Sequence, residues 1–290
     1  MRVARSFAFR LCAALAAPCA AHAETVLQLE PAFNFDSNLS RAHDSDDVKA
    51  DGSFSLAASA SEVFALSGAD LISLGLNLKE SQYLRFHGLN AFEAGPALAY
   101  RRKFGLGAQA PWVSLSAAWT YQDFASSIRD GNTWQLQLAA GRRWGHRLDG
   151  SAGLGYDRRD ARGGERAVPT IAGNAFDLHG ASVFARLNYA LCERARAGVR
   201  LNLRRGLVES STRPGRGIYS VSDAITEDPV FGDEFYAYRI KGTTITAGTS
   251  LGWTLGAHSS LNLTASYDHT RAGAFQYDGG GGGLSYVFRY

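Results

Sequence analysis

One period governs almost the whole of this 290-residue chain: apolar side chains recur at every second position. Residues 27–35 set Leu27, Leu29, Phe33 and Phe35 against Gln28, Glu30 and Asn34. Residues 112–122 set Val113, Leu115, Ala117, Trp119 and Tyr121 against Ser114, Ser116, Thr120 and Gln122. Residues 195–204 set Ala195, Ala197, Val199, Leu201 and Leu203 against Arg196, Arg200, Asn202 and Arg204. Successive side chains of a strand point to opposite faces, so each segment reads as a strand with one oily and one wet face. Twelve strands are predicted, over 26–35, 52–66, 70–84, 91–104, 112–123, 132–144, 148–158, 175–190, 195–206, 236–255, 260–269 and 276–290. The eighth is the least regular. Phe176 and Leu178 fall out of phase with Val183, Leu187 and Tyr189, and a bulge between them restores it. After residue 23 no stretch shows the i, i+3, i+4, i+7 spacing of an amphipathic helix.

The connections alternate as well. Ser67-Gly68-Ala69, Gly145-His146-Arg147, Leu191-Cys192-Glu193 and Ala257-His258-Ser259 are short, with Phe104–Pro111 the longer exception. The others, 36–51, 85–90, 124–131, 159–174 and 207–235, are long, with a smaller one near 270–275. An even number of antiparallel strands with short turns at one end and long loops at the other is the pattern of a transmembrane β-barrel. A soluble sandwich would also alternate. Two details favour the membrane. The wet face is rich in Gly, Ser, Thr, Asn and Gln with scattered Arg, as a lumen would be. Most Trp and Tyr fall near strand ends on the oily face, where an aromatic girdle belongs.

The termini add to this. Residues 1–23 carry Arg2, Arg5 and Arg10, a short apolar run from Leu11 to Ala21, and the small-x-small site Ala21-His22-Ala23. This reads as a secretory signal peptide, leaving a mature domain over 24–290. The net charge of +3 then comes from the leader. Its three arginines removed, 27 basic residues face 27 acidic ones, so no nucleic-acid partner is inferred. One cysteine, Cys192, remains after the leader, which leaves no internal disulfide.

The last residues, GLSYVFRY, place Leu284, Tyr286, Phe288 and Tyr290 at alternate positions and end on an aromatic ring. This resembles the C-terminal signal of Gram-negative outer-membrane β-barrel proteins. The resemblance implies recognition by the barrel assembly machinery and a location in the outer membrane, among lipid and lipopolysaccharide. Phe35-Asp36-Ser37-Asn38-Leu39 is similar to the turn after the first strand of many such barrels, among them the barrel part of surface-lipoprotein assembly modifiers. The helical-repeat domain expected before that barrel is not in this sequence.

The chemistry predicted for the barrel lies in its inward charges. The phase turns Arg101, Arg143, Arg186, Arg196, Arg200 and Arg204 inward, with Arg239 and Arg289 as further candidates. The inward acids are Glu30, Glu93, Asp149, Asp157 and Asp268. Arg186, Arg196, Arg200 and Arg204 fall on two adjacent strands and form a basic strip, which suits an anionic solute. The competing expectation is that these arginines pair with the acids and fill a closed lumen. The acidic stretches at residues 43–47 and 223–234 are expected to be solvated surface loops, and no metal or other cofactor is predicted.

The leading expectation is a passive channel for small polar or anionic solutes. The alternative is a non-conducting barrel serving as an anchor, an adhesin or an envelope assembly and export factor, with an envelope protein as partner. A rim enzyme acting on lipid would need His87 or Asp268-His269, which lie in no defensible catalytic motif, so no enzymatic activity is expected. Gly105-x-Gly107-x-x-Ala110 mimics a dinucleotide loop, but Pro111 opens a strand rather than a helix. The five glycines 279–283 are expected to weaken the last strand or to leave room for a neighbour.

Overall fold

The computed structural model describes residues 23–290; the predicted leader, except Ala23, lies outside the described residues. In chain order the strands are β1 (Ala23–Asp36), β2 (Asp51–Ala65), β3 (Asp70–Tyr83), β4 (Ala91–Lys103), β5 (Trp112–Phe124), β6 (Gly131–Trp144) and β7 (Leu148–Ala161). They continue as β8 (Leu178–Ala190), β9 (Ala195–Thr212), β10 (Ser222–Glu227), β11 (Tyr236–Thr254), β12 (Ser259–Ala272) and β13 (Phe275–Arg289). One helical turn, α1 (Arg216–Tyr219), precedes β10.

Every neighbouring pair is antiparallel, and the sheet closes. β9 pairs with β11 from Tyr236↔Thr212 to Trp253↔Ala195, and β13 pairs with β1 through Phe288↔Leu29 and Leu284↔Phe33. Twelve strands, β1–β9 and β11–β13, form the wall. The predicted number and pairing of wall strands hold. A closed wall satisfies every ladder hydrogen bond without an edge, which is the condition for crossing hydrocarbon with strands.

The outer face is apolar and exposed: Leu74, Leu115, Leu138, Leu154, Val183, Leu201, Leu251 and Leu263 all point away from the barrel. Aromatic rings bound this belt. On β6, Trp134 and Trp144 lie on the outer face near opposite ends. Ten residues of strand span about 33 Å, or roughly 25 Å along the axis at ~40° tilt, the height of an outer-membrane apolar band. Trp119 stacks beside Trp134 across the ladder, with ring centroids 6.3 Å apart.

Two local expectations are corrected, and of the two readings of the glycine run the structure shows the second. β8 begins at Leu178, and its register with β7 runs unbroken from Arg159↔Leu178 to Leu148↔Tyr189. There is no bulge, because Phe176 is not in the strand; it is buried among the loops. The 207–235 segment is not all loop: β9 runs on to Thr212, and β10 adds a short strand to the extended end of β11. The glycines 279–283 do not break β13: all five pair with β12, and the last three pair with β1 as well. They leave room: Asn38 lies over Gly279 and Ser37 over Gly280.

Two ladders in the wall are interrupted, each beside a proline: β1–β13 skips from Leu29↔Phe288 to Ala32↔Ser285 around Pro31, and β4–β5 skips from Ala94↔Tyr121 to Ala97↔Ala118 around Pro96. Pro96 has no N–H to give. At Gly95 a Cβ would overlap the Trp119 carbonyl oxygen. Gly95→Val is therefore expected to lower the urea midpoint of the folded barrel, at an overpacking cost of about 1–3 kcal/mol; an unchanged midpoint would remove the close-approach explanation.

Candidate functional site

The lumen is lined by the inward face of every strand, and alternation puts polar groups there. One cavity of about 620 Å³ is walled by Asn34, Arg186, Asn188, Arg200, Ser250, Thr264 and Ser266 among others. A second, of about 550 Å³, is walled by Ser59, Asn77, Gln135, Gln137, Asp157 and Ser182 and also reaches Arg186. Arg186 thus stands between the two.

The predicted basic strip is present, but its members differ. Arg186 and Arg200 are directly opposite across β8 and β9. Both are exposed to the lumen, and neither has a carboxylate within ion-pair distance among the described residues. Like charges face to face in a ladder repel, so this pair costs stability. Arg186 gains a cation–π contact, 5.0 Å from the Phe184 ring centroid. Arg200 lies across Gly248, where a Cβ would come 2.7 Å from its Nε. Arg196, lower on β9 opposite Ala190, also has no ion pair among the described residues.

Arg204 is different. It grips Asp157 with two hydrogen bonds of 2.9 and 2.6 Å, so its charge is neutralised. Arg143 donates to the His146 carbonyl in the short turn, and Arg101 stacks 4.4 Å over Trp112. Arg289 donates to Gln28, whereas Arg239 has left the lumen and pairs with Asp223 of β10 at 2.7 Å. The inward acids fall where the phase puts them. Glu93 is 3.9 Å from Lys79, Asp149 accepts from Asn188, and Asp268 accepts from Thr246. Asp268 and His269 point to opposite faces, and His269 meets Asp278 outside at 2.8 Å.

At the long-loop end the mouth is roofed. Beyond Gly206 and Gly242 the paired ends of β9 and β11 leave the wall, and past Lys241 both of their faces become largely buried. Val208, Ser210, Tyr238 and Ile240 are covered on one side, Ser211 and Ala237 on the other. Ile225, Tyr238 and Ile240 pack with Phe275 and Tyr277 into an apolar cluster inside the rim. Phe231 and Phe235, from the same excursion, pack on Phe86 and Leu89 of the β3–β4 connection. In the ring of strands β9 is diametrically opposite β3. A segment rooted on one wall therefore reaches the other, across the opening.

Buried charge pins this layer. Glu209 accepts from Arg41 of the β1–β2 loop (3.2 Å) and Arg129 of the β5–β6 turn (3.4 Å), and forms a looser ion pair with Arg159 of β7 (3.7 Å). Arg129 also binds Asp228 at 2.6 Å, and Ser211 donates to the same carboxylate. Sequence reasoning missed this cluster. Arg159 shares its face with Asp157, but the predicted seventh strand stopped one residue short of it.

The acidic loops also differ from expectation: Asp47 and Asp228 are buried rather than solvated. Asp47 accepts from the Thr212 hydroxyl, and from the Arg213 backbone at 2.9 Å and its Nε at 2.5 Å. Burial pushes this carboxyl up, but those hydrogen bonds and the Arg213 charge outweigh it and hold it below the usual carboxylate range. A carboxyl lowered in the folded state stabilises above its ordinary range, and the contribution is lost as pH falls through the lowered value. At neutral pH, Asp47→Asn is expected to free the 37–50 loop, making Arg41 and Lys49 trypsin-sensitive on the folded barrel. Equal resistance would show that other contacts hold the loop.

The Phe35–Leu39 turn contributes here as well. Asn38 donates from its side chain to the Ala42 carbonyl (2.9 Å) and the Asp278 carbonyl (2.7 Å), tying the first loop to β13.

No protein-family model and no curated protein matches the sequence. Solved structures do match it in fold. The chain is similar to an outer membrane channel from Pseudomonas putida F1, with TM-score 0.54 and 10% identity over 92% of this chain and 95% of that one. It is also similar to the translocator domain of autotransporter NalP from Neisseria meningitidis (TM-score 0.42, 12% identity, 92% and 88% covered). A third similar structure is the outer membrane channel DcaP of Acinetobacter baumannii (TM-score 0.44, 9% identity, 92% and 97% covered). The likeness is one of fold: the chain is a closed outer-membrane β-barrel.

Proposed function

We propose that this barrel is a passive outer-membrane channel for small polar solutes, with a bias for anions. One observation carries the reading. Arg186 and Arg200 face a cavity of about 620 Å³ side by side, with no carboxylate among the described residues to neutralise them. A structural filler would pair its charges, as Arg204 does with Asp157. Two unpaired guanidiniums kept against their mutual repulsion make sense where they lower the barrier for passing anions. Amides and hydroxyls of Asn34, Asn188, Ser250, Thr264 and Ser266 around them suit a solute with hydrogen-bonding groups. The resemblance in fold to the Pseudomonas putida channel supports the same reading.

The layer across the mouth governs access, so conduction requires it to shift. The test is single-channel recording of the refolded barrel in a planar bilayer under a salt gradient. Discrete steps with an anion-selective reversal potential are expected. A folded barrel that stays silent at all voltages and on loosening of the roof would overturn the channel reading.

A further inference from the structure

The lumen does not account for a second basic cluster, on the outside of the barrel. Arg204 and Thr270 point inward, so Arg205 and Arg271, their neighbours in sequence, point outward; both are exposed. In the hydrogen-bonded register Thr243 of β11 faces Arg205 of β9 on one side and Arg271 of β12 on the other. Lys241, two residues further along β11, is exposed on the same face, while Ile240 before it is buried in the mouth. Two inter-strand steps separate Arg205 from Arg271, about 10 Å.

Among the described residues these cations have no acidic partner. Arg205 and Lys241 make no ion pair or hydrogen bond among the described residues, and Arg271 only a 3.5 Å contact to the Gly273 carbonyl. Asp278, opposite His269 on the neighbouring strand, is already engaged by Tyr267 at 2.5 Å and His269 at 2.8 Å, and Asp223 is engaged by Arg239 at 2.7 Å. The height of the cluster is informative. Below it on the same three strands are Leu203, Ile245 and, one outward position past His269, Tyr267, exposed members of the apolar and aromatic belt. The cluster therefore sits where hydrocarbon gives way to headgroups, at the long-loop end of the barrel.

We propose that Arg205, Lys241 and Arg271 form a docking site for the phosphorylated headgroup of an outer-leaflet lipid, whose acyl chains lie on the belt below. The inference rests on the membrane placement of the barrel, and not on conduction. Guanidiniums bind phosphate through paired donors, and an ammonium adds a point charge. A triangle of three cations about 10 Å across matches a headgroup carrying two phosphates better than a single free anion. The apolar strip beneath supplies what a soluble phosphate would leave unused.

The test is native mass spectrometry of the folded barrel in non-ionic micelles with bis-phosphorylated lipid A, monophosphorylated lipid A, or a fully dephosphorylated form. The expected result is retention that falls with each phosphate removed. Retention of the bis-phosphorylated form should drop about tenfold or more in the Arg205→Gln/Lys241→Gln/Arg271→Gln variant. Heat-modifiable gel mobility checks that the variant is folded, and Lys241→Gln alone, with a several-fold loss, serves if the triple variant does not fold. Equal retention by variant and parent, or of all three lipids, would overturn the site. Displacement of the lipid by millimolar inorganic phosphate would also overturn it, by showing a simple anion site. None of these readouts uses conductance, so a silent barrel leaves the inference standing and a conducting one does not rescue it.

Discussion

Arg186→Glu/Arg200→Glu reverses the ion selectivity of the barrel. The two side chains are opposite in the β8–β9 ladder and face the same cavity, so the double change replaces two positive charges by two negative ones in one place. At an effective dielectric of about 20 and ~6 Å from a passing ion, each charge contributes roughly 3 kcal/mol before screening. Even a third of this, doubled by the sign change, shifts the anion-to-cation permeability ratio by more than about tenfold. The effect should shrink toward 1 M salt, where the screening length is about 3 Å. Arg204→Gln is the control. Asp157 already neutralises Arg204, so selectivity should move little and in the cation direction, since the freed carboxylate remains. A reversal potential unchanged by the double substitution would show that permeating ions do not pass this pair.

The wall of this protein was legible because its physics repeats. Every strand has lipid on one side and lumen on the other, so two-residue alternation marks both the strand and the direction of each side chain. The inward placement of Arg200, and the outward placement of Leu201 beside it, needed nothing more. Reasoning failed where the environment stops alternating. In the roof both faces of β9 and β11 are buried, so phase no longer tells inside from outside. Arg239 looked luminal and is held by Asp223 instead. Phe176 looked like an out-of-phase strand residue and is a core residue of the loop layer. Asp47 and Asp228 looked solvated because acidic loops usually are; their partners Arg213 and Arg129 lie 166 and 99 residues away, a distance no local pattern reports. The unpaired state of Arg186 and Arg200 was equally invisible, since pairing depends on which rotamers reach across strands. The sequence named the candidates without separating Arg204 from the other two.

Glu209→Ala opens the roof. This carboxylate is shared by Arg41, Arg129 and Arg159, which come from three separate parts of the rim. With it gone, Arg129 and Arg159, both largely buried, face each other with only Asp228 left at Arg129. Breaking a buried ion pair by removing one partner costs about 3–5 kcal/mol, because the other charge stays desolvated. The wall around Arg159 cannot relieve this, since the β6–β7, β7–β8 and β8–β9 ladders are continuous. The paired ends of β9 and β11 beyond Gly206 can, by lifting out and letting water reach the arginines. The expected outcome is a barrel with parental gel mobility whose single-channel conductance, or open fraction, rises several-fold. Asp228→Ala should act in the same direction but less, because Arg129 keeps Glu209 and Ser211 loses only one hydrogen bond. Adding Arg129→Met to Glu209→Ala should restore part of the closed state by removing the stranded charge. If Glu209→Ala conducts as the parent does while the 37–50 loop becomes trypsin-sensitive, the roof can loosen without gating the lumen. The route for solutes would then have to lie beside these paired ends rather than under them.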